Sequence, residues 1–378
     1  MADFDKKSLI SITCSKHLEE MLMDEVEELG YSIELKRTAG IEIEGSLFDC
    51  MRLNLMLGLA HRINYLVTEF EARTDKDLYD KVKAIPWEQY ISPTGYVTVT
   101  SRVEQKGIDN TQFANLRCKD GIVDRIKQRK GARPNSGPRL DGTVVFLFWR
   151  HNKVRIFLDT SGESLSRRGY RTNNASAPMQ ETLARGIVKR SGWDETTPFV
   201  NPMCGSGTIA IEAALLALKK PPGILRPHFA FKKILGFDEK AWQRLRATLK
   251  STKPINPLII ATDNDPRAIK AARKNAITAG VDKYIQFEVC DFRQTSLPNQ
   301  KGTIVINPPY GERLGDTSSL ENFYKAIGDY LKKSTAGFRS FIFTGNMSLA
   351  KKIGLRSSSK TPFYNSTIEC RLLEYEVY

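Results

Sequence analysis

Leu18, Leu22, Val26 and Leu29 recur at helical spacing, which predicts a helix over Lys16–Leu29 that stops at Gly30. Shorter alternating stretches follow at Tyr31–Lys36 and Ile41–Glu44, then a helical stretch near Leu47–His61 and a strand over Ile63–Phe70. A second run of the same kind begins with a helix over Asp77–Ile85. It continues with a strand over Gly95–Val103, a long helix over Asn110–Lys130 and a loop at Arg133–Pro138. Thr143–Trp149 and Lys153–Asp159 then read as a hairpin about Arg150–Asn152. The pattern predicts two small α+β units, over 1–65 and 66–160, followed by a linker over 161–180 rich in Ser, Gly, Arg and Asn.

Beyond the linker, strands and helices alternate: Phe199–Asn201, Thr208–Leu218, Leu258–Asp263, Pro266–Ala279, Ile285–Val289, Thr303–Asn307, Leu320–Lys333 and Phe338–Thr344. That order predicts a doubly wound, mostly parallel sheet over 181–378. The ending differs. Phe363–Asn365 and Ile368–Tyr375 leave no room for a crossover helix, so they should pair antiparallel.

Composition adds little to the fold but narrows the class. With 378 residues, 41% hydrophobic and 26% charged, the chain can bury cores without staples, and disordered or collagen-like classes are excluded. The six cysteines form no CxxC pair and stand beside no His cluster, which argues against zinc and against a disulfide framework. No apolar run approaches a membrane span, and the first residues lack a signal-peptide pattern. The expected setting is therefore the cytoplasm.

The net charge of +14 has an uneven distribution. Residues 1–100 carry 11 Lys/Arg against 18 Asp/Glu, whereas 101–172 carry 16 against 7. The densest basic stretch runs from Arg117 to Arg139 and includes Arg125, Arg129, Lys130 and Arg133. A basic surface of this kind suits a phosphate backbone.

Four motifs fall at the ends of successive strands. Asn201-Pro202-Met203-Cys204-Gly205-Ser206-Gly207-Thr208 joins an apolar strand to a helix, where glycines allow close backbone approach and the helix N-terminus offers free N–H groups. Asp263 ends the next strand, where an acid can accept both hydroxyls of a ribose; Asp265 opens the following helix as an N-cap. Asp291 and Phe292 follow the third strand, placed to accept from an adenine amine and to flank its ring. Asn307-Pro308-Pro309-Tyr310 ends the fourth. Two prolines stiffen the backbone, so that the Asn307 side-chain carbonyl and the Pro308 main-chain carbonyl can face one planar amine while Tyr310 stacks on its ring.

This set resembles the class I S-adenosylmethionine-dependent methyltransferases that act on amines. Leu165–Arg171, Pro178–Ala184, the glycine turn and Asn307–Gly315 together resemble the THUMP-containing RNA guanine-N2 methyltransferases of the RlmL type, which act on 23S ribosomal RNA. The resemblance covers essentially the whole chain and suggests a stand-alone form. It implies a ferredoxin-like subdomain over 1–65, a THUMP RNA-binding domain over 66–160 and a Rossmann-like catalytic domain over 181–378.

The same resemblance implies S-adenosylmethionine as cofactor, no metal, and RNA as partner. It implies cofactor contacts from the turn residues Asn201, Pro202, Cys204, Gly205, Gly207 and Thr208. It implies further contacts from Thr182, Asp263, Asn264, Asp291, Phe292 and Asn307. Asn307, Pro308, Pro309 and Tyr310 become the catalytic set. Arg117, Arg125, Arg129, Lys130, Arg133, Arg167, Arg168 and Arg171 become RNA contacts.

Three positions depart from the family pattern. Asn201 stands where Asp is usual, residues 219–253 insert between the first two strands, and Asn365-Ser366 replaces Asn-Gly. The residues leave alternatives open: a tRNA guanine-N2 methyltransferase, an adenine-N6 nucleic-acid methyltransferase, a protein glutamine methyltransferase, or a non-catalytic RNA-binding assembly factor.

Overall fold

The computed structural model describes residues 1–108, 110–171, 179–248, 258–310 and 317–377. The 172–178 part of the expected linker, the 249–253 part of the insertion and the Gly311–Gly315 end of the fourth motif lie outside the described residues. In chain order the elements are β1 (Ser8–Cys14), α1 (Glu19–Glu28), β2 (Leu35–Arg37), β3 (Gly40–Gly45), α2 (Leu47–Met56), β4 (Ala60–Glu71), α3 (Asp75–Ala84), β5 (Tyr96–Glu104) and α4 (Thr111–Lys130). Next come β6 (Asn135–Ser136), β7 (Thr143–Arg150), β8 (Lys153–Asp159), α5 (Glu181–Arg190), β9 (Phe199–Pro202), α6 (Thr208–Ala217), α7 (Glu239–Thr248), β10 (Ile259–Asp263) and α8 (Pro266–Ala279). The chain closes with β11 (Ile285–Val289), β12 (Thr303–Ile306), α9 (Thr317–Ser334), β13 (Arg339–Thr344), α10 (Met347–Lys351), β14 (Ser359–Asn365) and β15 (Ile368–Glu376).

The chain divides into two compact units, one formed by Met1–Cys14, Glu19–Leu165 and Arg226–Leu249, the other by the rest. In the first unit the two expected α+β halves are a single eight-stranded sheet, ordered β2-β3-β1-β4-β8-β7-β5-β6. Strand β4 makes the join. It is twelve residues long and pairs with β1 along one edge, from Ala60 to Tyr65, and with β8 along the other, from Asn64 to Glu71, with a bulge between Leu66 and Thr68. Such a bulge bends the strand and increases its local twist. Capping boxes start α2 at Ser46 and Asp49 and α3 at Thr74 and Asp77, as Ser/Thr followed three residues later by an acid should. Part of the expected loop at Arg133–Pro138 is strand instead, since Asn135–Ser136 pairs with β5.

The inserted segment from Arg226 onward folds with this first unit, not with the sheet that it interrupts. Its core is aromatic: Phe229, Phe231 and Trp242 are buried and pack with ring centroids 5.1–5.7 Å apart. It therefore serves packing, which aromatic burial of this size drives.

The second unit holds a seven-stranded sheet, ordered β11-β10-β9-β12-β13-β15-β14. Strands β9 to β13 are parallel, and β15 runs antiparallel between β13 and β14. The strand order reverses between β9 and β12. Ligands in such sheets sit outside the carboxyl ends of the strands at that reversal. Residues 166–171 of the expected linker are built into this unit: Ser166, Arg168 and Tyr170 are buried. No described helix is long and apolar enough to cross a membrane.

Candidate active site

A cavity of about 840 Å³ opens at the reversal point, within the range usual for small-molecule sites. The turn after β9 forms one wall. Gly205 and Gly207 have φ of +55° and +81°, in the left-handed region. At Gly205 a Cβ would meet nothing within 4 Å, so the backbone borders open space; at Gly207 it would lie 2.9 Å from Cβ of Ala272, so only glycine lets α6 start this close to α8. Asp263, at the end of β10, receives the N–H of Gly205 on Oδ2 at 2.9 Å and that of Asp265 on Oδ1 at 3.0 Å. Asp265 caps α8 by accepting from Arg267 N at 2.8 Å, as the sequence suggested.

Asp291 and Phe292 reach the same cavity. The Asp291 carboxylate is already held by Arg293, through Nε at 2.7 Å and Nη2 at 2.9 Å, and this pairing lowers its pKa. Phe292 is 5% exposed and packs edge-on against Phe323 and Tyr330, so it is part of the core as well as of the wall.

Asn307, Pro308, Pro309 and Tyr310 line the opposite wall, after β12. The side-chain oxygen Oδ1 of Asn307 is shielded from solvent and has no hydrogen-bond partner among the described residues. A buried acceptor left this way costs free energy unless a ligand supplies the donor. Tyr310 is fixed on both sides. Its hydroxyl oxygen accepts from Asn365 Nδ2 at 2.9 Å and from the Cys370 thiol at 3.8 Å, and its ring meets Phe343 edge-on. Burial pushes its pKa up, which keeps the phenol protonated. Asn365 lines the cavity too. Sequence reasoning treated it as part of a turn; the signal was its place two strands past the clamp on a sheet edge already full of site residues.

Residues 168–374 match the RMKL-like methyltransferase domain model. The chain belongs to the RMKL-like methyltransferase family. Residues 72–159 match a THUMP domain and 10–64 an RlmL ferredoxin-like domain. The ribosomal RNA large subunit methyltransferase K/L of Syntrophotalea carbinolica is 36% identical over 97% of this chain and 53% of its own length. The chain thus spans about half the length of the curated relatives it matches. The structure of SMU.472, complexed with SAH, superposes with a TM-score of 0.89 at 28% identity and covers 99% of each chain. A structure from Listeria monocytogenes str. 4b F2365, named a predicted N6-adenine-specific DNA methylase, gives 0.88 at 29% identity over 99% of this chain and 97% of its own.

Within this methyltransferase framework four expected cofactor contacts do not line the cavity. Asn201 is fully buried and donates from Nδ2 to Val305 O at 2.8 Å, which ties β9 to β12 behind the cavity. Pro202 lies within buried β9, and Thr182 is buried in the first turn of α5. Gly207 faces Ala272 of α8, and none of the four lines the cavity. Cys204 does, but burial pushes its thiol up, opposite to what a nucleophile needs. Among the described residues no cluster of metal-ligating side chains occurs.

The expected RNA contacts divide. Arg129, Lys130, Arg133 and Arg167 are exposed. Arg125 is held by Glu88 at 2.7 Å, and Arg117 pairs with Asp75 at 3.1 Å while lying over Tyr79. Arg168 cannot touch RNA: it is 1% exposed and donates from Nε to Glu212 Oε1 at 2.8 Å. The Tyr170 hydroxyl donates to the same oxygen at 3.1 Å, and the Arg185 guanidinium lies 4.0 Å from Oε2. Arg171 donates to Met179 O at 2.8 Å and to Thr208 Oγ1 at 3.0 Å, and both acceptor residues border the cavity. The Arg-rich segment thus braces the glycine-turn wall.

Proposed function

We propose that the chain methylates the exocyclic N2 amine of a guanosine in RNA, with 23S ribosomal RNA as substrate and S-adenosylmethionine as donor. The observation that carries this reading is Oδ1 of Asn307 at the cavity wall, buried without a partner among the described residues, beside two prolines and a fixed tyrosine ring. The names of the Syntrophotalea carbinolica and Cellvibrio japonicus relatives support large-subunit ribosomal RNA, and the SAH complex of SMU.472 supports the donor.

The residues present suit that cofactor. Open space beside Gly205 can admit a ligand close to the backbone, the Asp263 carboxylate can receive ribose hydroxyls, and Asp291 and Phe292 can border an adenine. When bound, S-adenosylmethionine supplies a methyl group activated by a sulfonium centre. The target base leaves its stack to enter the cavity. Asn307 Oδ1 and the Pro308 carbonyl accept hydrogen bonds from its amine and orient the nitrogen lone pair. The Tyr310 ring holds the base plane, and its neutral phenol adds no charge to the pocket. Positioning and fixed dipoles then provide the acceleration. The raised Cys204 thiol fits a reaction with no covalent enzyme intermediate.

RNA docking falls to the exposed cations Arg129, Lys130, Arg133 and Arg167. The functional division we infer is ferredoxin-like and THUMP parts over 1–65 and 66–160, which share one sheet, and a catalytic part over 181–378, apart from Arg226–Leu249, that residues 166–171 brace. We place this chemistry in the cytoplasm, where ribosomal RNA would meet it. The test is Asn307→Ala assayed with labelled donor on RNA and, separately, for cofactor binding by calorimetry. Transfer should drop about 100- to 1,000-fold while cofactor binding survives, the size seen when one preorganised polar group is removed. Transfer at the wild-type rate would refute the clamp.

A further inference from the structure

We propose that Asn365 is the specificity-determining residue of the base pocket, selecting guanine by accepting a hydrogen bond from its N1–H. The proposal rests on the amine-methylating reading above and adds to it the identity of the base.

Asn365 is the last residue of β14, and the two-residue turn Ser366–Thr367 returns the chain to β15, with Asn365 opposite Ile368. Ser366 takes the left-handed conformation at φ +57°, so the turn is tight and the position of Asn365 is set by the sheet. Its side chain lines the cavity that Asn307, Pro308 and Tyr310 line. One end of the amide is committed: Nδ2 donates to the Tyr310 hydroxyl oxygen at 2.9 Å. The Cys370 thiol offers a second, weaker donor to that oxygen, so Tyr310 Oη is the receiving partner on both contacts. Oδ1 is then the acceptor that Asn365 brings to the base.

Two amide acceptors therefore serve one pocket, Asn307 Oδ1 and Asn365 Oδ1. Guanine presents its N2 amine directly beside the N1–H, two neighbouring donors on one edge. Adenine presents its N6 amine beside N1, a donor next to an acceptor. A second acceptor beside the amine clamp rewards guanine and sets lone pair against lone pair for adenine. The same contact distinguishes guanine from 2-aminopurine, which keeps the 2-amine but has a bare N1. Setting an acceptor against a bare N1, with no hydrogen bond formed once the base fills the pocket, corresponds to roughly a 10- to 100-fold loss.

The experiment compares kcat/KM for two RNA oligonucleotides that differ only at the mapped target position, guanosine or 2-aminopurine. Wild type should favour guanosine roughly 10- to 100-fold. Asn365→Ala should bring the ratio close to one with cofactor affinity unchanged, and Asn365→Asp, which keeps an acceptor, should retain the preference. A wild-type enzyme that uses both oligonucleotides equally overturns the proposal. So does an Asn365→Ala enzyme with the wild-type ratio, or an Asn365→Asp enzyme that loses the preference. Should Asn365→Ala fail to fold, the wild-type and Asn365→Asp ratios still decide. Absence of any guanosine methylation by wild type removes the underlying reading and this proposal with it, a result distinct from methylation with an unselective ratio.

Discussion

Replacing Arg168 by Met separates two roles that its sequence context confounds. In Leu165-Ser166-Arg167-Arg168-Gly169-Tyr170-Arg171 it looks like one cation among several on a basic segment. In the fold its guanidinium is 1% exposed and Glu212 is fully buried, 2.8 Å away. Removing the cation leaves Glu212 with the Tyr170 hydroxyl at 3.1 Å and Arg185 at 4.0 Å. Breaking a buried pair from one side costs about 3–5 kcal/mol, because the remaining charge stays desolvated. For a unit of this size each kcal/mol lowers the melting temperature by about 2–4 °C, so a loss of roughly 6–20 °C is expected. Arg185 should hold the effect toward the lower end. Hydrogen exchange followed on peptides from α6 and β9 should localise the loss to the second unit, with the first unit unchanged. The double variant Arg168→Met/Glu212→Leu should recover part of it, since no uncompensated carboxylate remains. Unchanged protection in α6 combined with weakened RNA binding would refute the buried assignment and return Arg168 to the surface.

Gly207→Ala should destabilise the second unit by about 1–3 kcal/mol and weaken cofactor binding, since φ of +81° and a Cβ 2.9 Å from Ala272 both oppose a side chain; calorimetry and thermal melting check this. The Arg125–Glu88 pair should show in the pH dependence of stability. The hydrogen bond from Arg125 lowers the Glu88 pKa from its ordinary 4.5, so the contribution is present above that value and is lost as pH falls through the depressed one. The gap in unfolding free energy between wild type and Arg125→Met, on the order of 1 kcal/mol near neutrality, should therefore shrink as pH falls below the ordinary carboxylate range. Replacing exposed Arg129, Lys130 and Arg133 by Gln should flatten the slope of log affinity for RNA against log salt by about 2 to 3, and filter binding across a salt series measures it.

Much of the second unit was legible in the sequence because each local signal agreed with the global fold. Alternating apolar strands and helices gave the wound sheet, and the short gap before Ile368 gave the antiparallel ending. The glycine turn and the Asn-Pro-Pro-Tyr run were readable because their chemistry lies in consecutive residues. What was hidden depends on partners far along the chain. Arg168 meets Glu212 forty-four residues away, and its residue type alone points outward. Asn365 meets Tyr310 across fifty-five residues and two strands. The long strand β4 carries no mark in its own pattern of the fact that it pairs with both β1 and β8. The insertion at 219–253 was visible as extra length between two strands, but neither its aromatic core nor the unit in which it packs was.

The most direct test is methyl transfer from labelled S-adenosylmethionine to total RNA, with ribosomal and transfer RNA separated and the labelled nucleosides identified by mass spectrometry. The expected product is N2-methylguanosine in large-subunit ribosomal RNA, absent with Asn307→Ala. Label in N6-methyladenosine, or cofactor binding with no label in RNA, would contradict the function proposed for this site.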